Sequence, residues 1–172
     1  MKNTLSKYSF GVGDRFASQA KPQLQAIIMA KEKGCHITPV WNKSYREHEI
    51  IGSESLETRN SVNKAVADLG WNDSYFLDAD HINFNNVDFF LDTCDFYTID
   101  VADFIGHKIE DNYKHDFFEK NKKYIGDLNL EGVGSIEITS ELIESVANKY
   151  LFAVYEAKKI YDYINLKINA NS

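Results

Sequence analysis

Residues 75–84 read YFLDADHINF. Tyr75, Phe76 and Leu77 form a short apolar run that ends in Asp78, Ala79, Asp80 and His81, and apolar residues resume at Ile82. Side chains alternate along a strand, so Asp78 and Asp80 share one face. Two carboxylates beside an imidazole can bind a divalent cation or move protons, since histidine titrates near neutrality and is the commonest metal ligand. Spacing alone leaves both chemistries open.

Other ionisable groups stand at equivalent places. YSFGVG (8–13) runs into Asp14 and Arg15. ITPVW (37–41) runs into Asn42 and Lys43, with Arg46, Glu47 and His48 just beyond. FYTIDV (96–101) carries Asp100 and leads to Asp103. Asp and Asn after a strand also serve as caps and turn formers, so no one of them is diagnostic. Their agreement at four strand ends is the stronger signal, because parallel α/β folds bind ligands at the carboxyl ends of their strands. The fork of Arg15 matches a carboxylate, and Lys43 and Arg46 are further candidates for an anionic substrate. GVGDR (11–15) resembles a fragment of a phosphate loop but lacks the third glycine and its spacing. Gly11 and Gly13 are equally explained by close backbone packing. Of the remaining histidines, His36 is expected at the surface, and His48, His107 and His115 in solvated, polar surroundings.

The elements that must hold these groups alternate. Between the apolar runs, Pro22–Lys33 places Leu24, Ile27 and Ile28 on one helical face and is followed by Gly34. Ser55–Leu69 repeats the pattern with Leu56, Val62, Val66 and Leu69 before Gly70. Val87–Leu91 predicts a short helix led by Asn86. Strands alternating with helices indicate βαβ units and a parallel sheet, here four βα units over residues 8–106. Beyond Gly106, residues 109–124 read as a charged helix whose aromatics at Phe117 and Phe118 suit core or interface. Residues 125–138 read as a loop or short hairpin, and 139–167 as a long helix. The whole is read as one α/β domain.

Composition sets outer bounds. The 172 residues are 44% hydrophobic and 13% aromatic, enough for a core and unlike a disordered chain. A net charge of -7 and a pI near 5.2 argue against nucleic acid or an anionic membrane as partner. Met1–Lys7 hold no apolar stretch of a secretory leader, and no run approaches a membrane span. Cys35 and Cys94 lack metal-type spacing, and two unpaired thiols in an acidic chain suit a reducing cytoplasm.

Taken in order, YSFGVGDRF (8–16), ITPVWNKSYREHEIIG (37–52), DADH (78–81), FYTIDVADFIG (96–106) and, more loosely, KYLFAVYEAKKIYDYI (149–164) resemble the tagaturonate epimerase family. Those enzymes interconvert tagaturonate and fructuronate, which are C4 epimers. The resemblance implies a (β/α)8 barrel, a divalent metal and a sugar-acid substrate. It matches Asp80 to the general base and His81 to one metal ligand. The family's other histidine ligands and its partner glutamate lie on later strands, for which this chain has no counterpart. A partial barrel of four βα units plus a long C-terminal helix is therefore expected, inactive by itself and inclined to dimerise through open sheet edges. The competing expectation is a non-catalytic α/β module that only binds ligand.

Overall fold

A computed structural model describes residues 4–170. The chain forms two compact units: the first runs to Asp100 and includes the end of the last helix from Ile164, and the second spans Val101–Tyr163.

The first unit is a four-stranded, wholly parallel sheet in the order β1-β2-β3-β4. Its strands are β1 (Ser9–Gly13), β2 (Thr38–Ser44), β3 (Phe76–Ile82) and β4 (Phe96–Ile99). Spatial order follows chain order with no reversal, so the doubly wound arrangement is excluded. Helix α1 (Ala20–Glu32) joins β1 to β2. Two helices follow β2: α2 (Tyr45–Ile51) starts without a linker, and α3 (Ser55–Leu69) ends on Gly70, whose φ of 61° closes the helix in the left-handed conformation. A short 3₁₀ helix at Val87–Phe89, led by Asn86, connects β3 to β4; it is two residues shorter than the short helix expected at Val87–Leu91.

Alternation decides which side of the sheet is covered. Trp41 of β2 and Leu77 of β3 are 1% exposed and join Leu24 and Ile27 of α1 with Val62 and Ala65 of α3 in one core. The Trp41 indole donates to Gln23 Oε1 on α1 (2.9 Å), so even the polar edge of this ring is satisfied by a helix. Odd-numbered positions on β2 and β3 thus face the helices. Even-numbered ones (Asn42 and Ser44, with their register partners Asp78 and Asp80) face the other way. The glycines of β1 need no unusual φ. A Cβ on Gly11 would meet nothing within 4 Å, and one on Gly13 would touch Asn42 Oδ1 at 3.4 Å. Close packing therefore explains neither glycine strongly.

The second unit holds α4 (Asp111–Asn121), an antiparallel hairpin of β5 (Gly126–Leu130) and β6 (Gly134–Ile138), and most of α5 (Ser140–Ala170). The hairpin resolves the loop-or-hairpin choice for residues 125–138. Among the described residues no helix is long and apolar enough to cross a membrane.

Candidate functional site

At the carboxyl ends of the parallel strands lies a cavity of about 480 Å³, lined by Arg15, Ser44, Tyr45, Arg46, Glu47, Asp80, His81, Asn86 and Asp100. Each residue arrives there for a local reason. Arg15 follows β1. Arg46 and Glu47 occupy the first turn of α2, which a capping box fixes to the end of β2: Ser44 Oγ accepts from Glu47 N–H (3.4 Å), and Glu47 Oε2 accepts from Ser44 N–H (3.0 Å). The other oxygen of Glu47 takes Arg15 Nε at 2.8 Å. Partial burial pushes the Glu47 carboxyl upward, but the Ser44 bonds and the Arg15 charge outweigh it and hold the group below the usual carboxylate range.

The other end of the cavity is built by β3 and β4. His81 Nδ1 lies 2.8 Å from Asp80 Oδ1, with Asp80 largely covered and His81 65% exposed. Neighbours in a regular strand point to opposite faces, and such a contact would be impossible. Here the β3–β4 register shifts between Ala79 and Ile82, and His81 adopts φ 56°. That left-handed bulge swings the ring onto the face of Asp80. An Nδ1–H donated to the carboxylate would leave the lone pair on Nε2.

One layer below, Thr98 Oγ1 donates to Asp78 Oδ2 at 2.7 Å, while Asp78 Oδ1 and Oδ1 of its register partner Asn42 are buried with no hydrogen-bond partner among the described residues. Burial, reinforced by the Asp80 charge, raises the Asp78 carboxyl above its ordinary range. Asp78 is therefore a poor candidate for a permanent anion.

The structure brings together Arg15, Arg46, Asp80, His81 and Asp100, and sets two of the expected site residues apart. Lys43, expected to meet the substrate, lies on the helix side of β2 with Trp41. It is 2% exposed, and its ammonium donates to Ser53 Oγ at 2.7 Å. Burial holds its pKa below that of a free lysine. Asp14, 4% exposed, turns back to accept the N–H groups of Ser18 (3.0 Å) and Gln19 (2.7 Å), and so shapes the chain entering α1. His48, expected in solvent, is 2% exposed. Its ring packs edge-on against Phe89 and Phe90, and its Nδ1 sits 2.9 Å from Ser53 Oγ. Burial first, and the nearby Lys43 charge second, lower its pKa to about 4. His36, His107 and His115 are exposed as expected. Glu47, which the sequence places just beyond the second strand, and Asn86, which it places at the start of a short helix, also line the cavity; the S-x-x-E box at 44–47 is the sequence signal for the first.

His81 has the imidazole-on-carboxylate arrangement typical of a ligand, yet among the described residues no group of three or more His, Cys, Asp or Glu side chains could enclose an ion.

The sequence matches the family model UxaE, tagaturonate epimerase, over residues 1–171. The chain belongs to the tagaturonate epimerase family. Crystal structures of fructuronate-tagaturonate epimerase UxaE from Cohnella laeviribosi share its fold. The native form superposes with a TM-score of 0.68 at 21% identity, covering 93% of this chain and 35% of that one. The form with two glycerols gives 0.69 at 20% identity, covering 90% and 34%. This tagaturonate epimerase family chain thus spans about a third of the length of the solved structures it matches. A comparison with curated proteins gives no match.

Proposed function

We propose that this chain supplies the base, one metal ligand and the anion-binding end of a sugar-acid epimerase site, acting on the tagaturonate/fructuronate pair in the cytoplasm. In this reading the sheet is the first part of a (β/α)8 barrel, and further metal ligands come from outside the described residues. The observation that carries the proposal is the polarity of the cavity. Two guanidiniums, Arg15 and Arg46, outnumber the single Glu47 carboxylate at its β1–α2 side, and Asp80, His81 and Asp100 stand at its β3–β4 side.

A six-carbon keto acid fits that polarity. Its carboxylate pairs with the arginines and its polyol chain extends toward Asp80. In the keto acid, C4 lies β to the C2 carbonyl, so its C–H is not directly acidified. Asp80 instead removes the C4 hydroxyl proton. The C3–C4 bond then breaks, its electron pair passing to a C2–C3 enediolate while C4 becomes an aldehyde. The carboxylate end, still held by arginine, lets the aldehyde rotate about C4–C5 and offer its other face. The enediolate carbon re-adds, the C3–C4 bond reforms, and Asp80 returns its proton to the C4 oxygen. A divalent metal, when bound, supplies Lewis acidity that polarises the C2 carbonyl, and His81 Nε2 is the group that would hold it.

Charge recognition can be measured on the chain alone. A hydrogen bond to a charged group contributes about 1.5–3 kcal/mol, so fructuronate should bind about 10- to 100-fold more tightly than neutral fructose. Arg15→Ala with Arg46→Ala should erase the difference in a titration followed by NMR. Equal binding of acid and neutral sugar would overturn the proposal. In any relative competent for turnover, the hydrogen on C4 should be retained; its exchange with solvent would refute the bond-cleavage route.

A further inference from the structure

Asp80 and His81 can pair only because of the bulge, and the bulge has a visible support. His81 lies outside both ladders: β2 ends at Ser44, opposite Asp80, and the β3–β4 pairing passes from Ala79 directly to Ile82. Its backbone is held from elsewhere. Asn86 Nδ2 donates to His81 O at 3.3 Å, and Asn86 Oδ1 accepts Asn83 N–H at 2.8 Å. One amide thus spans the loop that leaves β3 and grips the residue in the left-handed conformation. A non-glycine φ of 56° is unfavourable and persists only where its surroundings over-determine it.

We propose that Asn86 is a positioning residue: its bond to the His81 carbonyl holds the bulge, keeps the ring on Asp80 and so selects the tautomer with Nε2 unprotonated. The proposal rests on the reading of Asp80 and His81 as the reacting pair. Asn86 acts through the backbone and need not touch the substrate. Without its donor, His81 can relax to ordinary extended φ, and alternation then returns the imidazole to the face opposite Asp80.

The test reads the His81 ring nitrogens of the full chain by long-range ¹⁵N–¹H NMR at fixed neutral pH, without substrate or metal. The native chain should show the Nδ1–H form. Asn86→Ala should lose it in favour of the tautomer mixture of a solvated imidazole. Asn86→Asp keeps an acceptor for Asn83 N–H but offers His81 no donor, and should lose it too. If the alanine variant fails to fold, the aspartate variant decides alone. Asn85→Ala, at an exposed site in the same turn, should leave the pattern unchanged. Persistence of the Nδ1–H form in Asn86→Asp overturns the proposal, because the donor to His81 is then dispensable. Absence of that form from the native chain overturns it as well, through the Asp80–His81 pair itself. Fructuronate binding is a separate measurement, so a failure here leaves the epimerase reading to stand or fall on its own.

Discussion

Acidification should weaken the first unit through one buried ring, His48. In the folded chain the Lys43 ammonium donates to Ser53 Oγ, leaving the Ser53 hydroxyl proton for His48 Nδ1. Protonating His48 breaks that chain and sets a second cation in a pocket shared with Phe89, Phe90 and Lys43. Glu47 and Glu57 offset part of this, yet the pKa still falls from 6.5 to about 4. A lowered folded pKa means that the unfolded chain binds the proton first. Stability is therefore complete above pH 7, declines as pH falls through 6.5, and has lost its full share below pH 4. The complete shift corresponds to about 3 kcal/mol, of which about 2 kcal/mol should be gone at pH 5. His48→Gln keeps an acceptor for Ser53 and cannot titrate. Both tryptophans, Trp41 and Trp71, lie in the core of this unit, so their fluorescence reports its unfolding selectively. In urea at pH 7 and pH 5, the native chain should lose about 2 kcal/mol more than the variant, a relative midpoint shift on the order of 1 M. The raised Asp78 titration works in the opposite direction but is common to both proteins and cancels in the difference. Parallel pH dependence of the two chains would refute the assignment.

The left-handed bulge reverses an ordinary ranking. Glycine within a strand is usually less stable than alanine, but at φ 56° His81→Gly should exceed His81→Ala by about 1 kcal/mol in the same urea assay; alanine ahead would mean that the bulge relaxes. The two free thiols should separate. Cys35 is exposed, whereas burial raises Cys94 to about 11, so a disulfide-exchange reagent at pH 8 should label one cysteine rapidly and the second only on unfolding. The outer strands of the parallel sheet, β1 and β4, present Phe10 at 58% and Phe96 at 38% exposure. Open edges of this kind recruit partners, and light scattering should find dimers at high concentration; a monomer throughout would count against edge pairing.

The parallel sheet is legible in the sequence as short apolar runs ending in polar groups, and α1, α3 and the terminal helix by their apolar spacing of 3.6. What escaped shows where periodicity lacks reach. Helix α2 has seven residues and begins where β2 stops, too short for a helical pattern to separate from its flanks. Its neighbours Arg46, Glu47 and Glu49 make His48 look solvated, but the ring faces Phe89 and Phe90, forty residues away in sequence. The apolar run stops at Trp41 and so hides the place of Lys43 in β2. Once the strand runs to Ser44, alternation alone puts Lys43 beside Trp41, against the helices.

DADH is the instructive case, since the structure joins Asp80 to His81 although alternation would separate them. Period two pairs Asp78 with Asp80 and sends His81 to the far side of the sheet. A strict strand would therefore hold two carboxylates on one face and an unrelated imidazole on the other. The residues that meet are the adjacent ones, Asp80 and His81, and their contact requires one residue at a φ that histidine seldom adopts. No glycine marks the spot. The only local trace is the asparagine-rich turn at 83–86 that follows, whose side chains bond back to the loop backbone. Strain at such a position is retained when the surrounding chain supplies compensating bonds, and here the compensation and the strain lie five residues apart. The contact between Asp80 and His81 thus depends on where the strand stops being a strand.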